Sequence, residues 1–456
     1  LVKLPILKRE GMHFLPFKAS NSVKLLKKGF VVLFRDNKMR DKKVFFKTFG
    51  CRTNIFDTQV MISNLKDFSV TENLETADYI VINSCTVTNS ADTNSRQFLN
   101  RVKREFPEKE VLFTGCGVQT QGDKFFKQGL IKSGFGHSEK ARVQEFLKSK
   151  DRIFKVGDLE SLDETLVSEF VGKSRAFIKI QEGCNFKCSY CIIPSVRGKS
   201  RSYDISQIVS QVEKLSSNGF GEFTLTGTNI GSYGEGKSSL AKLLKAISQV
   251  RGVRRIRLGS IEPSQITDEF KELLSEDWLG RHLHVAIQHS DNRMLKIMNR
   301  RNRAETDLEL LLFLAEKGFS LGTDYIVGHP GESDEIFKDG FENLKRYPLT
   351  HLHLFKYSQR DGTPSSKMGL INSKIVKDRF SLVENLIKEK KEIFRDKTSS
   401  LLKVLIEKRV DKTSLFRGYD QFFNTVFIES SEDLEGDWIE TKDYNWRKYK
   451  DYEERI

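Results

Sequence analysis

Ala176-Phe-Ile-Lys-Ile-Gln-Glu-Gly-Cys184-Asn-Phe-Lys-Cys188-Ser-Tyr-Cys191-Ile-Ile-Pro-Ser-Val-Arg-Gly198 joins an apolar stretch to a loop holding three of the chain's six cysteines. Phe177, Ile178 and Ile180 predict a buried strand over 176–181. A C-x-x-x-C-x-x-C run directly behind it sets three thiols where a strand-helix barrel carries its chemistry. Further strands are expected at Glu222–Thr226, Arg254–Leu258, His282–Ile287, Ser320–Ile326 and His351–Leu354, with helical stretches between them. Repeated β-α units of this kind predict a barrel or partial barrel with its loops at one mouth.

Upstream, the same alternation continues. Strands are expected at Lys43–Phe49, Asp78–Asn83 and Glu110–Thr114, and helices over Thr58–Lys66 and Asn94–Arg104. That order predicts an open parallel α/β sheet. The acidic, irregular stretch 151–172 reads as a linker. After residue 400 the texture becomes β-rich, with strands expected at Val404–Glu407, Leu415–Tyr419, Thr425–Glu429 and Asp437–Thr441. Short strands divided by polar turns suggest a small β-barrel. The fold class is therefore α/β, with domains at 39–150, 173–400 and 401–456.

Composition bounds the function. Across 456 residues, 38% are hydrophobic and 30% charged, enough for a sizeable core and unlike a disordered chain. No apolar run approaches the ~20 residues of a spanning helix. Six cysteines are too few for a disulfide scaffold, which points to a reducing cytoplasm. The net charge of +14 suggests an anionic partner, nucleic acid first. Half of that excess lies in residues 1–38, where no helical or strand period appears. They read as a basic leader from a start placed too far upstream, with Met39 as the working initiator. Residues 401–456 are mildly acidic, so they are a poor electrostatic anchor for RNA.

All six cysteines fall into two triads. Thiolates as close as Cys184, Cys188 and Cys191 can converge on one iron–sulfur cluster, for which soft sulfur is preferred. Three ligands on a four-iron cubane leave one iron open, free to chelate an amine and a carboxylate. Structural zinc wants four ligands, and the nearest histidine in sequence is His137. Cys51, Cys85 and Cys116 each follow an apolar strand. Residues just past the carboxyl ends of neighbouring parallel strands line one crevice. A lone cysteine so placed is usually a buried small hydrophobe, but the threefold repetition predicts a second site. Gly50 and Gly115 allow a sharp exit from two of the strands.

Cys184-Asn-Phe-Lys-Cys188-Ser-Tyr-Cys191 matches the signature of radical S-adenosylmethionine enzymes. From about 42 to 456 the chain resembles the methylthiotransferases: a domain with three dispersed cysteines, a radical domain and a β-rich TRAM-like domain. Within that family it is most similar to the branch acting on N6-threonylcarbamoyladenosine of tRNA. Asn83-Ser-Cys-Thr-Val-Thr-Asn89, Cys191-Ile-Ile-Pro-Ser-Val-Arg-Gly198, Leu225-Thr-Gly-Thr-Asn-Ile-Gly231 and Ser260-Ile-Glu-Pro263 carry the likeness.

The resemblance implies two [4Fe–4S] clusters and S-adenosylmethionine as cofactors. The cluster on Cys184, Cys188 and Cys191 cleaves S-adenosylmethionine to a 5′-deoxyadenosyl radical. That radical takes hydrogen from C2 of a modified adenosine in the tRNA anticodon loop, at position 37. The cluster on Cys51, Cys85 and Cys116 donates or carries the sulfur, which a second S-adenosylmethionine methylates. An unactivated aromatic C–H offers no acidic proton to a general base, so cofactor chemistry is required.

Tyr190 is expected at the cofactor's adenine, Gly227, Thr228 and Asn229 at its methionine part, Ser260 and Glu262 at its ribose, and Gln288 at the end of a barrel strand. His289-Ser-Asp departs there from the family's small-residue pattern. Arg300, Arg301 and Arg303 are candidates for RNA phosphates. The implied partners are tRNA, an electron donor such as flavodoxin or ferredoxin, and a sulfur source, with a monomer in the cytoplasm and no membrane. Alternatives are isopentenyladenosine in tRNA, an aspartate of ribosomal protein S12 or, outside enzymology, an iron–sulfur RNA-binding regulator.

Overall fold

The computed structural model describes residues 42–170, 172–234 and 238–454, so the leader at 1–38 and Met39 lie outside the described residues. Six parallel strands form the first sheet: β1 (Lys43–Thr48), β2 (Ser69–Val70), β3 (Tyr79–Ser84), β4 (Glu110–Gly115), β5 (Ser133–Phe135) and β6 (Ile153–Lys155), in the order β2-β1-β3-β4-β5-β6. β3 is buried at every position, which is why it reads as a continuous apolar run rather than an alternating one. Two helices matter for the site, α1 (Arg52–Ser63) and α2 (Asn89–Glu105). α2 starts where the Thr88 hydroxyl accepts the Ala91 N–H at 3.2 Å, and it buries Ser95, Leu99 and Val102 along one face. The expected linker at 151–172 is partly structural. β6 is an edge strand of the first sheet, and Val167 and Phe170 are buried in the core of the next domain. Isolated apolar residues in an acidic stretch give no period by which to find them.

The central domain opens with β7 (Ala176–Lys179) and the small antiparallel pair β8 (Gln181–Glu182) and β9 (Arg201–Ser202). β10 (Glu222–Thr226) and β11 (Arg255–Leu258) complete one parallel sheet with β7. β12 (Ser260–Ile261), β13 (His282–Val285), β14 (Ser320–Val327) and β15 (His351–Lys356) form another. β11 and β12 are two halves of one path broken at Gly259, so the sheets join into an arc of parallel strands. β7 and β15 do not pair among the described residues, which makes the barrel partial.

Strand alternation separates an apolar outer face from a polar inner one. Phe223, Leu225, Ile256, Leu258, Leu283, Val285, Leu321 and Val327 belong to the apolar core outside the arc. The opposite parity carries Glu222, Thr224, Arg255, Arg257, His282, His284, Asp324, His351 and His353. Phe56 and Val60 of α1 join the barrel's apolar core, so the first domain is anchored by the helix that begins after Cys51.

The C-terminal strands are β16 (Leu401–Arg409), β17 (Leu415–Tyr419), β18 (Thr425–Glu429) and β19 (Trp438–Lys442). They make a four-stranded antiparallel sheet in the order β18-β17-β16-β19, in place of a closed barrel. Phe416, Tyr444 and Trp446 fill its core, whereas Phe423 leaves it, stacking on His282 at 5.4 Å between ring centres. The Phe422 carbonyl accepts the Ser320 hydroxyl at 2.7 Å. The turn Asp420–Asn424 therefore floors the barrel at the amino-terminal end of its strands. Among the described residues no helix is long and apolar enough to cross a membrane.

Candidate active site between two cysteine triads

Register assembles the first triad. Thr48 is opposite Asn83, and Ser84 is opposite Gly115, so Cys51, Cys85 and Cys116 all leave adjacent strands at one edge. Gly50 and Gly115 both take positive φ, 93° and 88°. A Cβ on Gly50 would lie 2.7 Å from the Cys85 sulfur, so only glycine lets the Cys51 turn cross over Cys85. Cys51 is exposed, while Cys85 and Cys116 are buried. Burial, with neighbouring Cys116 and Cys51, pushes the Cys85 thiol up to about 12.

The second triad comes from the single loop after β8. Gly183 has a φ of 74°, and a Cβ there would collide with the Lys199 carbonyl. Cys184, Cys188 and Cys191 are all partly buried. Burial pushes the Cys191 thiol up to about 12, with Cys188 and Cys184 adding to it. Three thiols gathered in one loop suit a soft metal cluster. The groups around the sulfurs are N–H donors rather than a fourth ligand. The Phe186 N–H lies 3.4 Å from Cys184 Sγ, Asn229 Nδ2 3.9 Å from the same sulfur, and Arg300 Nη1 3.7 Å from Cys188 Sγ. Arg197 Nε donates to Cys116 Sγ at 3.2 Å. Hydrogen bonds to sulfur of this kind tune iron–sulfur clusters. Both triads fit.

Arg197 ties the triads together, standing in the loop of one and touching the other. It also pairs with Glu182 and reaches Asn54 Oδ1 at 2.5 Å. Around it Asp57 accepts Lys140 at 2.6 Å and Lys179 at 2.7 Å. Burial alone would raise Asp57, but Lys140, Lys179 and Arg197 hold it well below the usual carboxylate range. Glu182 falls to about 2, because Lys179 and Arg197 outweigh its burial. His137 lies close to both carboxylates. These acids are already neutralised by three cations, so the group offers no cation site. A second clamp is Arg360, which pairs with Asp92 and donates to the Thr86 carbonyl at 3.1 Å, fixing the chain just beyond Cys85.

The remaining expected residues are distributed as follows. The backbone N–H groups of Thr228 and Asn229 donate to Gln181 Oε1 at 3.1 and 2.9 Å. A Cβ on Gly227 would lie 2.8 Å from the Gln181 carbonyl. The Thr228 hydroxyl and the Asn229 side-chain oxygen Oδ1 are buried without a hydrogen-bond partner, and the amide nitrogen of Asn229 lies beside Cys184. Such orphaned oxygens fit a ligand that brings its own donors. Ser260 is exposed at the mouth. Tyr190 packs beside Met294, Met298 and Ile326. Gln288 takes a positive φ of 66° and bridges to Tyr325, and His289 after it is buried against Glu332 at 3.2 Å.

Two expectations need correction. Arg300 is not a surface cation: it is buried, makes a two-pronged pair with Glu262, and donates to the Ala286 carbonyl. The same pair occupies both carboxylate oxygens of Glu262 rather than leaving them for a ribose. A three-residue basic run reads as solvated, and nothing in it reveals an acid 38 positions upstream. Arg301 and Arg303 are exposed, with Arg301 lying over the Phe186 ring at 4.3 Å. Sequence reasoning missed Arg197, Asp57, Lys140 and Arg360. Arg197 was inside the quoted signature, but its partners are far away along the chain.

Comparison with known proteins agrees with this geometry. The family described as uncharacterized protein family UPF0004 matches residues 43–136, and the radical SAM superfamily matches 178–344. A putative methylthiotransferase of Helicobacter pylori is 52% identical over 90% of this chain and 99% of its own. The threonylcarbamoyladenosine tRNA methylthiotransferase MtaB of Aquifex aeolicus is 36% identical over 78% of this chain and 90% of its own. A tRNA-2-methylthio-N(6)-dimethylallyladenosine synthase of Alkaliphilus oremlandii is 30% identical over 81% and 83%. The radical S-adenosylmethionine methyltransferase TsrM from Kitasatospora setae shares the fold, with a TM-score of 0.56 at 16% identity over 71% of this chain and 77% of that one. With its two triads, its barrel and these relatives, the chain belongs to the radical S-adenosylmethionine methylthiotransferases, enzymes whose cofactors are S-adenosylmethionine and two [4Fe–4S] clusters.

Proposed function

We propose that the protein places a methylthio group on C2 of N6-threonylcarbamoyladenosine at position 37 of tRNA. The observation that carries this reading is the inner face of the barrel, which presents His284, Asp324, His353 and several arginines rather than apolar side chains. A dimethylallyl substituent gains by burial among hydrocarbons, whereas a threonylcarbamoyl group brings a carboxylate, a hydroxyl and amides that need polar partners. The relatives at 33–36% identity named for threonylcarbamoyladenosine point the same way.

Cys184, Cys188 and Cys191 would hold the cluster that, when bound, supplies reductive cleavage of S-adenosylmethionine. Thr228 and Asn229 would hold the amino end of its methionine with their unpaired oxygens, and Ser260 would hold its ribose. Glu262 serves indirectly, holding Arg300 against Cys188. Cys51, Cys85 and Cys116 would hold the sulfur-bearing cluster at the opposite wall, with Arg197 steadying Cys116. Exposed Arg301 and Arg303 meet the tRNA backbone. The electron comes from a flavodoxin- or ferredoxin-type donor, and the enzyme works as a cytoplasmic monomer beside a separate sulfur source.

The test is mass spectrometry of tRNA nucleosides from a strain lacking the gene. Loss of the methylthio form of threonylcarbamoyladenosine, restored by the gene, is expected. Loss of the dimethylallyl counterpart instead, or of a modified ribosomal protein with tRNA untouched, overturns the substrate.

A further inference from the structure

Four arginines reach the lower interior of the barrel, and three of them are ion-paired. Arg257 pairs with Glu222 at 2.8 Å and donates to the Asp420 carbonyl. Arg255 pairs with Glu222 at 3.2 Å and donates to the Lys403 carbonyl at 2.7 Å. Arg175 pairs with Glu407 at 2.9 Å. The fourth, Arg52, makes no ion pair and no side-chain hydrogen bond among the described residues. It lies over the Phe423 ring at 5.6 Å. Its side chain is half-buried, with Arg175, Arg257 and Asp324 nearby.

The position of Arg52 is as telling as its lack of a partner. It opens α1 directly after Cys51, and next to it the Thr53 hydroxyl meets that of Thr226, at the end of β10, at 3.4 Å. Its side chain thus runs from the dispersed triad down into the barrel. The acid in that space, Asp324, is already held by His284 at 3.2 Å and His353 at 3.1 Å. A half-buried guanidinium without a counter-ion is open to a ligand that supplies one. Its planar fork matches a carboxylate.

We infer that Arg52 is the receptor for a carboxylate carried on the substituent of the substrate adenosine, and so sets substrate choice. This rests on the threonylcarbamoyladenosine reading above, whose substituent ends in a carboxylate. The imidazoles on Asp324 lie in the same space and suit its hydroxyl and amide groups.

The test uses the anaerobic holoenzyme of the full chain, with tRNA carrying threonylcarbamoyladenosine, dimethylallyladenosine or plain adenosine at position 37. Affinity is read by fluorescence anisotropy, alongside product formation and the reduction midpoint of each cluster. Arg52→Gln should weaken binding of the threonylcarbamoyl tRNA by about tenfold to a hundredfold, the worth of a charge-assisted hydrogen bond. Binding of plain-adenosine tRNA and both midpoints should not move. Arg52→Lys should recover part of the preference. Equal weakening on all three tRNAs, or an unchanged preference with a shifted midpoint of the dispersed-triad cluster, overturns the assignment to Arg52 alone. Wild-type enzyme that modifies only the dimethylallyl tRNA overturns the substrate reading and this inference with it. If Arg52→Gln fails to fold, Arg52→Lys decides by keeping or losing the preference.

Discussion

Cys184, Cys188 and Cys191 stand in one loop behind one strand, whereas Cys51, Cys85 and Cys116 meet only because three parallel strands are in register. The loop triad is a local property that a few residues can encode. The dispersed triad is a property of a whole sheet and inherits every weakness of that sheet. The dispersed triad buries Cys85 and Cys116 but leaves Cys51 exposed, whereas all three loop thiols are partly buried. The two sites thus differ in construction, although their donor sets are identical.

The sharpest way to separate them is removal. Loaded protein should carry about eight irons, and either triple Cys→Ala variant about four. Loss of the loop triad should abolish S-adenosylmethionine cleavage, while loss of the dispersed triad should spare cleavage and abolish the methylthio product. Full methylthiolation without Cys51, Cys85 and Cys116 would make that triad structural.

Arg197 joins the two regions, so Arg197→Leu tests whether they are independent. It strands buried Glu182 and part of the charge on Asp57, at a cost of about 3–5 kcal/mol in denaturant unfolding. Iron loss confined to the dispersed triad would keep the comparison intact, since the contact of Arg197 is with Cys116. A milder cut uses the glycines. Gly115→Ala would set a Cβ against the Ser84 carbonyl and Gly183→Ala against that of Lys199. Each should cost roughly 1–3 kcal/mol in backbone strain and lower iron occupancy only at its own triad.

A smaller effect lies in His329, buried beside Tyr190 in the wall of the loop triad. Burial pulls its pKa down to about 4 against the help of the Pro330 carbonyl. The unfolded chain protonates first, near 6.5, so stability is intact above that value and falls as the pH drops towards 4. The slope is at most about 1.4 kcal/mol per pH unit, and His329→Gln should flatten it in unfolding titrations. The smallest effect is at the surface. Arg301→Ala should lower the salt dependence of tRNA binding by roughly 0.7–0.9 for one lost phosphate contact, with S-adenosylmethionine cleavage untouched.

What the sequence disclosed follows the same division. Strand-then-cysteine is a local pattern, so both triads and the barrel strands were legible from residue order, and Asp78–Asn83 differs from the observed β3 by one residue at each end. Pairings across the fold were not. Arg300 looked like exposed charge because its acid lies on another strand end, and Arg52 and Arg197 carry no linear mark of their surroundings. β6 was hidden because a three-residue edge strand has too few positions to show a period.

The aromatic floor has a consequence for how this enzyme opens. Phe423 stacks on His282 from a turn of the C-terminal sheet, and the Phe422 carbonyl accepts from Ser320, so the base of the barrel is covered only while that sheet is docked. Undocking would leave every cysteine in its loop or strand end and expose the polar inner face from below. The C-terminal sheet thus acts as a plug whose loss is felt inside the barrel before it is felt at the thiols.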